Sequence, residues 1–330
     1  MKTAIVILNW NGEELLKKFL PTLVSHSPNA TIYVADNASE DGSLHYLKAT
    51  FPEVKIIQNS QNGGYAKGYN DALKNLTEDV YVLLNNDVET TTNWLEPVLE
   101  AFQNNPDWVA AQPKILDCKD KTHFEYAGAG GGFLDRLGYP YCRGRIFNSL
   151  EKDEGQYNDT LSIFWASGAC LFIKKAAFLG VGGFDEDLFA HQEEIDLCWR
   201  LQSKGGTIGY VGTSTIYHQG GGTLQQGNPR KTYFNFRNSL LVLFKNAGGT
   251  VIWWLIFQRL LLDGIAGMRF LIQVKPLHCW AIVRAHFSFY CLIPKYLKKR
   301  RLWASRKPYW QVRSIVWSYF ILKNRIFNKL

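Results

Sequence analysis

Short apolar runs alternate with amphipathic helical segments through the first third of the chain, and this alternation constrains the fold more than any other feature. Four runs have the length and composition of buried strands, at residues 3–8, 31–35, 54–58 and 80–84. Segments whose apolar residues recur at helical spacing follow them. Strands that alternate with helices of this length indicate βαβ units, so the sequence predicts an α/β fold with a mostly parallel sheet.

Each of these runs ends in a small polar residue. The positions are Asn9, Asp36, Asn59 and then Asn85 with Asp87. In open α/β sheets, ligands bind beyond the carboxyl ends of the strands, so four polar strand ends predict one polar rim over a binding crevice. The alternative is that each residue is an ordinary turn former.

Charge is unevenly distributed along the chain. The formal net charge is +8, yet no acidic residue follows Asp263, and the tail beyond it carries 14 Lys and Arg and 13 aromatic residues. From about residue 250 the apolar runs are interrupted, as at Gln258 and Arg259 in 251–262, and fall short of the roughly 20 apolar residues of a spanning helix. Basic, aromatic, broken apolar runs are typical of helices that lie in the membrane interface.

The sequence therefore predicts two parts. Residues 1–248 would form a catalytic domain, and residues 249–330 would form an amphipathic helical extension on an anionic membrane surface. The basic run at 298–301 favours lipid over simple packing of the helices on the body, which is the alternative. Nucleic acid is not expected as a partner, because lipid accounts for the aromatic residues as well as the charge.

Several common chemistries are excluded by missing motifs. The chain has no P-loop, no G-x-S-x-G elbow and no H-E-x-x-H, and the glycine-rich segment at 63–68 does not match the dinucleotide fingerprint. The six cysteines include no C-x-x-C pair, which favours reduced thiols. The first apolar run is too short for a signal peptide. We therefore expect a cytoplasmic protein, peripheral on the inner face of the membrane.

Two carboxylates at the predicted rim suit a nucleoside diphosphate and a divalent metal. Asp36 could accept a hydrogen bond from the imide N–H of a pyrimidine, although on the residues alone a helix-capping loop is favoured. Asp87 ends the segment L-L-N-N-D and could bind Mg²⁺ or Mn²⁺, which prefer oxygen ligands; the alternative is an Asn-rich turn.

The densest acidic cluster comprises residues 184–187 and 193–196. Glu194, flanked by Glu193 and Asp196, is a candidate general base whose pKa its neighbours would raise. The alternative is that acids in a first helical turn only complement the helix dipole.

Three residues later in the chain could contact a metal or a phosphate group. His218 could bind a metal or contact phosphate, or be a plain surface histidine. Lys231 and Arg237, with aromatic residues between them, could offset the charge of a diphosphate leaving group.

The order of these segments resembles glycosyltransferase family 2, and within it the bacterial rhamnosyltransferase-like branch that builds surface polysaccharide. Six matching segments carry the resemblance: I-L-N-W-N-G at 7–12, V-A-D-N-A-S-E-D-G-S at 34–43, N-G-G-Y-A-K-G-Y-N at 62–70, L-L-N-N-D at 83–87, G-G-F-D-E at 182–186 and E-E-I-D-L-C-W-R at 193–200. They cover roughly three-quarters of the chain. The resemblance implies the GT-A fold, a Rossmann-like α/β domain with a mostly parallel sheet.

The resemblance also implies roles for the residues. Glu194 would be the catalytic base, with Glu193 and Asp196 beside it, and Asp87 and His218 would lie at a Mg²⁺ or Mn²⁺ ion. The predicted nucleotide-sugar site comprises Asn9, Asn11, Asp36, Asn62, Gly63, Asn70, Asn86 and Arg237. The donor would be a UDP-, dTDP- or GDP-sugar, and the acceptor a glycan or a lipid-linked sugar.

Two departures from the family pattern bear on the mechanism. The first acid of the D-x-D motif is replaced by Asn85, so fewer protein ligands would hold the metal. Glu194 stands where the family has aspartate. The resemblance implies an inverting single displacement; the alternatives are a degenerate membrane-bound scaffold and a sugar-1-phosphate nucleotidyltransferase, and the absence of a glycine-rich loop after the first strand disfavours the latter.

Overall fold

The computed structural model describes residues 1–220 and 227–330. The strands are β1 Thr3–Asn9, β2 Thr31–Asp36, β3 Lys55–Gln58, β4 Val80–Asn85, β5 Val88–Thr90, β6 Trp108–Asp117, β7 Gly132–Leu134, β8 Pro140–Cys142, β9 Arg145–Ile146, β10 Ser149–Leu150, β11 Thr160–Ile163, β12 Cys170–Lys174 and β13 Thr207–His218. The helices are α1 Glu13–Ser25, α2 Ser43–Thr50, α3 Gly64–Leu73, α4 Glu96–Asn104, α5 Lys175–Gly180, α6 Glu193–Ser203, α7 Pro229–Asn246, α8 Ile252–Ile272, α9 Pro276–Trp303 and α10 Ile315–Phe320. Two 3₁₀ turns lie at Glu186–Leu188 and Phe327–Lys329.

The central sheet has the order β11-β13-β6-β12-β4-β1-β2-β3, with β5 paired to β13. Strands β1, β2, β3, β4, β6 and β13 run in one direction, so the sheet is mostly parallel as predicted. The register aligns Asn9 with Asp36 and Leu8 with Asn85. The polar ends of the first, second and fourth strands therefore meet at one edge of the sheet.

Both faces of this sheet are covered. Along β1, Ala4 and Val6 belong to one buried cluster, and Ile5 and Ile7 belong to the other. Parallel strands buried on two faces read as continuous apolar runs, which explains why the sequence pattern indicated them so clearly.

The second half of the sheet departs from the sequence pattern. The sequence pattern predicts two short strands here, at 208–211 and 215–217, but one strand, β13, spans both. A shift in register between Val211 and Thr215 marks the irregularity. Pairing with β6 resumes after the shift, so backbone hydrogen bonding keeps the segments in one strand. The glycine-rich stretch at 124–138, whose composition predicts a hairpin or flexible loop, contributes β7 to a small antiparallel sheet, β10-β9-β8-β7.

The helical extension packs on the body through its inner side. Arg259 is 1% exposed and donates hydrogen bonds to the Leu137 carbonyl at 2.9 Å and Ser239 Oγ at 2.7 Å. Asp263 is fully buried and accepts a hydrogen bond from the Tyr139 hydroxyl at 3.2 Å. Within 1–220 and 227–330, no helix combines the length and hydropathy needed to cross a membrane.

Candidate active site

The floor of the crevice is an amide network at the ends of β1 and β4. Asn86 Nδ2 donates to Asn9 Oδ1 at 3.0 Å, and Asn9 Nδ2 donates to Ser39 Oγ at 3.3 Å. A Cβ on Gly12 would lie 2.3 Å from both the Asn9 and the Asn86 side chains, so a larger residue there would disrupt this network. Asn9 and Asn86, both predicted to bind the nucleotide sugar, thus lie together.

Asp36 uses one carboxylate oxygen to hold the loop after β2. Its Oδ2 accepts a hydrogen bond from the Ser39 backbone N–H at 3.0 Å, ahead of α2 and its N-cap Gly42. Its Oδ1 is buried and has no hydrogen-bond partner in the described parts of the chain. A buried carboxylate oxygen without a partner is costly, so it marks a place where a ligand N–H can bind.

Loop asparagines hold the sides of the crevice. Asn11 Oδ1 accepts from the Glu40 backbone N–H at 2.8 Å. Asn62 Oδ1 accepts from Asn37 Nδ2 at 3.1 Å and from the Gly64 N–H at 2.9 Å, just before α3 begins. These predicted nucleotide-sugar residues are therefore at the site, but their side chains are engaged in positioning its loops. Gly63 immediately precedes α3 at the same loop.

A buried histidine lies between two carboxylates at the end of β13. His218 Nε2 is 3.0 Å from Asp87 Oδ1, and His218 Nδ1 is 3.2 Å from Glu125 Oε2. Burial alone would lower the pKa of His218, but the Glu125 and Asp87 carboxylates outweigh it and raise that pKa to about 10. Burial would raise the pKa of Asp87, but the His218 hydrogen bond and charge hold it below its usual range.

This pair could hold a divalent cation with few protein ligands, provided that His218 gives up its proton. The 3.0 Å between His218 Nε2 and Asp87 Oδ1 is a hydrogen-bond distance, and a cation would replace the shared proton. Among the residues that the structure describes, no group of three or more His, Cys, Asp or Glu side chains is arranged to hold a metal. Asp87 and His218 could therefore supply two ligands, and a substrate diphosphate and water the others.

Glu125 is a site residue that the sequence did not reveal. It lies in the glycine-rich stretch, without a recognisable motif, and joins His218 only because β13 ends beside that stretch. Burial raises the pKa of the Cys142 thiol, Arg145 opposes this rise, and the charges of Glu125 and Glu194 add to it.

The two glutamates that begin α6 lie in different environments. Glu193 is 5% exposed and its Oε2 has no partner within the described residues, so burial and the neighbouring Glu194 raise its pKa well above the usual range. Glu194 is only partly buried, and burial raises its pKa to about 7. A carboxylate that is accessible and titrates near neutrality is suited to be a general base. Glu193, by contrast, is suited to remain protonated beside it.

The structure does not support the catalytic role predicted for Asp196. Its carboxylate is fully buried and accepts hydrogen bonds from Arg200 Nε at 2.8 Å, Lys245 Nζ at 2.9 Å and Asn246 Nδ2 at 2.8 Å. Burial would raise its pKa, but the Lys245 and Arg200 charges hold it far below the usual range. A carboxylate saturated in this way anchors α6 to α7 and does not contact a substrate.

Asn70 and Arg237 also serve the loop between α5 and α6. Asn70 Nδ2 donates to the Phe184 carbonyl at 3.0 Å, and the Phe184 N–H donates back to Asn70 Oδ1 at 2.9 Å. Arg237 Nη2 donates to the Asp187 carbonyl at 3.0 Å and the Leu188 carbonyl at 3.2 Å. The hydrogen-bond donors of Asn70 and Arg237 are therefore occupied by the protein. The direct ligand contacts predicted for both residues are wrong, and both support the loop instead.

The acidic turn at 184–187 is likewise structural. Lys245 and Lys299 bind Asp185, and Lys295 and Lys299 bind Asp187. A cavity of about 340 Å³ lies beside this ion network, not over the crevice. These ion pairs therefore join helix α9 of the extension to the loop that precedes Glu193 and Glu194.

Helix α7 begins at the edge of the crevice. The pKa of Lys231 is lowered by burial, against the opposing charge of Glu125. Burial and then the Lys231 charge lower the pKa of His191 to about 4, so this ring is neutral. The charge of Lys231 thus interacts with both His191 and Glu125, and its role beside a diphosphate stays a prediction.

Solved structures share this architecture at low sequence identity. GalNAc-T7, solved with UDP, GalNAc and Mn²⁺, superposes with a TM-score of 0.59 at 15% identity, covering 89% of this chain and 57% of that chain. The mannosyltransferase PcManGT from Pyrobaculum calidifontis, solved with GDP-Man and Mn²⁺, gives a TM-score of 0.53 at 13% identity, covering 89% and 75%. The sheet and its crevice are therefore those of the GT-A fold, which is the fold of a class of glycosyltransferases.

Sequence comparison identifies the family within that class. The family model "Glycosyl transferase family 2" matches residues 4–179, and this chain belongs to that family. It is 24% identical to the N-acetylglucosaminyl-diphospho-decaprenol L-rhamnosyltransferase of Mycobacterium tuberculosis over 82% of this chain and 92% of that protein. It is 23% identical to the low-salt glycan biosynthesis hexosyltransferase Agl10 of Haloferax volcanii, over 72% and 74%. The chain is a glycosyltransferase, so the alternative of a sugar-1-phosphate nucleotidyltransferase is rejected.

Proposed function

We propose that this protein transfers a hexose or deoxyhexose from a UDP-, dTDP- or GDP-sugar to a lipid-linked or glycan acceptor in cell-surface polysaccharide synthesis. The observation that carries the proposal is one crevice with the unpartnered Asp36 oxygen, the Asp87–His218 pair and the accessible Glu194 carboxylate. The mycobacterial relative, whose name specifies rhamnose and a decaprenyl diphosphate acceptor, favours a deoxyhexose donor and a lipid-linked acceptor.

The proposed mechanism is an inverting single displacement. Glu194 removes the proton of an acceptor hydroxyl as that oxygen attacks the anomeric carbon from the face opposite the diphosphate. The bond from the anomeric carbon to the diphosphate oxygen breaks, and the nucleoside diphosphate leaves with the electron pair. Asp87 and His218 would hold Mg²⁺ or Mn²⁺, and such a cation supplies positive charge to the leaving diphosphate. Lys231 adds charge from the edge of the crevice.

Release of nucleoside diphosphate from a panel of UDP-, dTDP- and GDP-sugars tests this function. With Mn²⁺ or Mg²⁺ and a membrane extract as acceptor source, we expect one donor to turn over and chelator to abolish the reaction. Asp87→Asn should lower turnover by about 10² or more, because one metal ligand loses its charge. Asp120→Asn, at an exposed carboxylate, is the matched control. Donor binding without turnover in every arm would support the degenerate-scaffold alternative instead.

We further propose that the helical extension holds the enzyme on the cytoplasmic face of an anionic membrane. Helix α8 presents an exposed apolar stripe at helical spacing, and the turn after it exposes Val274 at 85%. The stripe comprises Trp254, Phe257, Leu261, Ile265, Met268 and Ile272. A continuous apolar stripe on a basic hairpin suits the lipid interface, where the base-rich run at 298–301 can approach anionic headgroups.

The basic run at 298–301 contains two residues that bind the body and two that are exposed. Substituting the exposed pair tests the membrane proposal. Lys299 and Arg300 bind the body, whereas Lys298 and Arg301 are exposed. Each exposed base near an anionic surface contributes about 1 kcal/mol, so Lys298→Gln with Arg301→Gln should weaken binding to phosphatidylglycerol vesicles by about 30-fold at low salt. Co-sedimentation measures this. Lys48→Gln with Lys74→Gln, on the body, is the control, and equal binding by both double variants would contradict the proposal.

A further inference from the structure

A groove of about 370 Å³ lies between α7 and α9, outside the crevice. It is lined by Tyr233, Trp280, Val283, Arg284, Phe287 and Ser288. Trp280, Val283 and Phe287 are 59%, 50% and 72% exposed, so its walls are apolar surface in contact with water. Its volume lies in the range of sites that bind small ligands or part of a larger one.

The polar groups of the groove surround the Tyr233 ring. The Tyr233 hydroxyl donates to Ser288 Oγ at 3.1 Å and accepts a hydrogen bond from Arg237 Nη1 at 3.4 Å. The Arg284 guanidinium lies 5.5 Å from the centre of the Tyr233 ring. Because no acidic residue follows Asp263, α9 itself offers no carboxylate to neutralise Arg284. Apolar walls with a cation at one side complement an amphiphile that has an anionic head.

The groove and the crevice lie on two sides of the same helical turn. On the crevice side, Phe234 of α7 stacks on Phe189 with 5.5 Å between ring centres, and the Phe189 carbonyl accepts a hydrogen bond from the Tyr65 N–H at 2.9 Å at the start of α3. On the α9 side, Thr232 pairs with His278 Nδ1 at 2.8 Å. Successive helical residues point in directions about 100° apart, and a helix with its side chains is about 10 Å across. A ligand that crosses the first turn of α7 could therefore occupy both places.

We infer that this groove holds the first part of the isoprenoid chain of a polyprenyl diphosphate acceptor, with Arg284 contacting the diphosphate. The inference rests on the proposed transfer to a lipid-linked sugar. The acceptor sugar would reach the crevice, the diphosphate would cross the first turn of α7 between Lys231 and Arg284, and the chain would lie on Trp280 and Phe287. The remaining isoprene units would continue from the open groove along the apolar stripe into the bilayer.

Photolabelling with a diazirine analogue of farnesyl diphosphate, in detergent micelles, tests the position of the groove directly. We expect label on the peptides that contain Tyr233 or residues 280–288, and we expect unlabelled farnesyl diphosphate to compete for it. Phosphatidylglycerol at the same concentration should compete at least tenfold less well. Label spread evenly over the exposed helices, or equal competition by phosphatidylglycerol, would overturn the inference in favour of a general lipid surface.

Two variants test the use of the groove in catalysis. Val283→Trp fills the groove at an exposed position, and Arg284→Gln removes the proposed diphosphate contact. For a polyprenyl diphosphate-linked acceptor, each should raise KM about tenfold, with the KM for the donor unchanged. Leu179→Trp on α5 and Arg306→Gln are the matched exposed controls.

The outcomes separate this inference from the proposed function. If transfer to the lipid acceptor proceeds but both variants match their controls, the groove inference fails and the function stands. If the label maps to the groove but no sugar donor turns over with any acceptor, the proposed function fails, and the groove remains a polyprenyl diphosphate site. A rise in the donor KM of either groove variant would point to disturbance of the crevice and contradict a separate acceptor groove.

Discussion

We expect Glu194→Gln to lower kcat by a factor of about 10² to 10⁴ while the donor still binds. Glutamine keeps the shape of the side chain but cannot accept the proton of the acceptor hydroxyl. Glu193→Gln is a demanding control, because glutamine resembles the protonated acid that burial favours at Glu193. We therefore expect that variant to retain most of its turnover. Single-turnover release of nucleoside diphosphate, with donor affinity measured separately by calorimetry, distinguishes the two glutamates.

The pH dependence of wild-type turnover provides an independent check on Glu194. A general base acts in its ionised form, and burial raises the pKa of Glu194 to about 7. Turnover should therefore be constant well above pH 7 and fall about tenfold per unit below it, provided that donor and metal remain bound. Nearby Tyr65 has a pKa raised well above its usual range, chiefly by burial, so it stays neutral across this window. A rate that is flat down to pH 5 would exclude Glu194 as the base.

We expect Asp196→Ala to lower the free energy of unfolding by about 3–5 kcal/mol. The substitution leaves Lys245 and Arg200, each 2% exposed, without their shared buried counter-charge. Lys245 would still bind Asp185, at 2.7 Å, so most of the lost stability should come from the ion pair with Arg200. Urea denaturation followed by circular dichroism measures the change.

A surface pair gives the matched control for this network. Glu14, whose side chain is 85% exposed, pairs with Lys17 at 2.8 Å, and Glu14→Ala should cost less than about 1 kcal/mol. Because the native pKa of Asp196 is depressed, its stabilising contribution is present above the unfolded value of about 3.9 and is lost as the pH falls below it. Equal effects of the two substitutions at pH 7 would show that the buried network adds nothing to stability.

The sequence alone determined the α/β architecture and much of the rim. Strands buried on both faces give continuous apolar runs, and the residues directly after such runs must meet at one sheet edge when the strands are parallel. Asn9, Asp36, Asn85 and Asp87 could therefore be assigned to one crevice before any contact was known. The position of Glu194 in a recognisable segment of acids identified the candidate base for the same reason, since both signals are local in the chain.

Only the tertiary structure decided which charged groups are available to a substrate. Asp196 belongs to the same acidic segment as Glu194, yet contact with Lys245, distant in sequence, removes it from the site. Glu125 has no local signal and joins His218 only through the end of β13. In the basic run at 298–301, Lys299 binds acidic residues of the loop before α6, whereas Lys298 stays exposed. The physical reason is that burial and ion pairing depend on which distant segments pack together, and the local pattern does not record it.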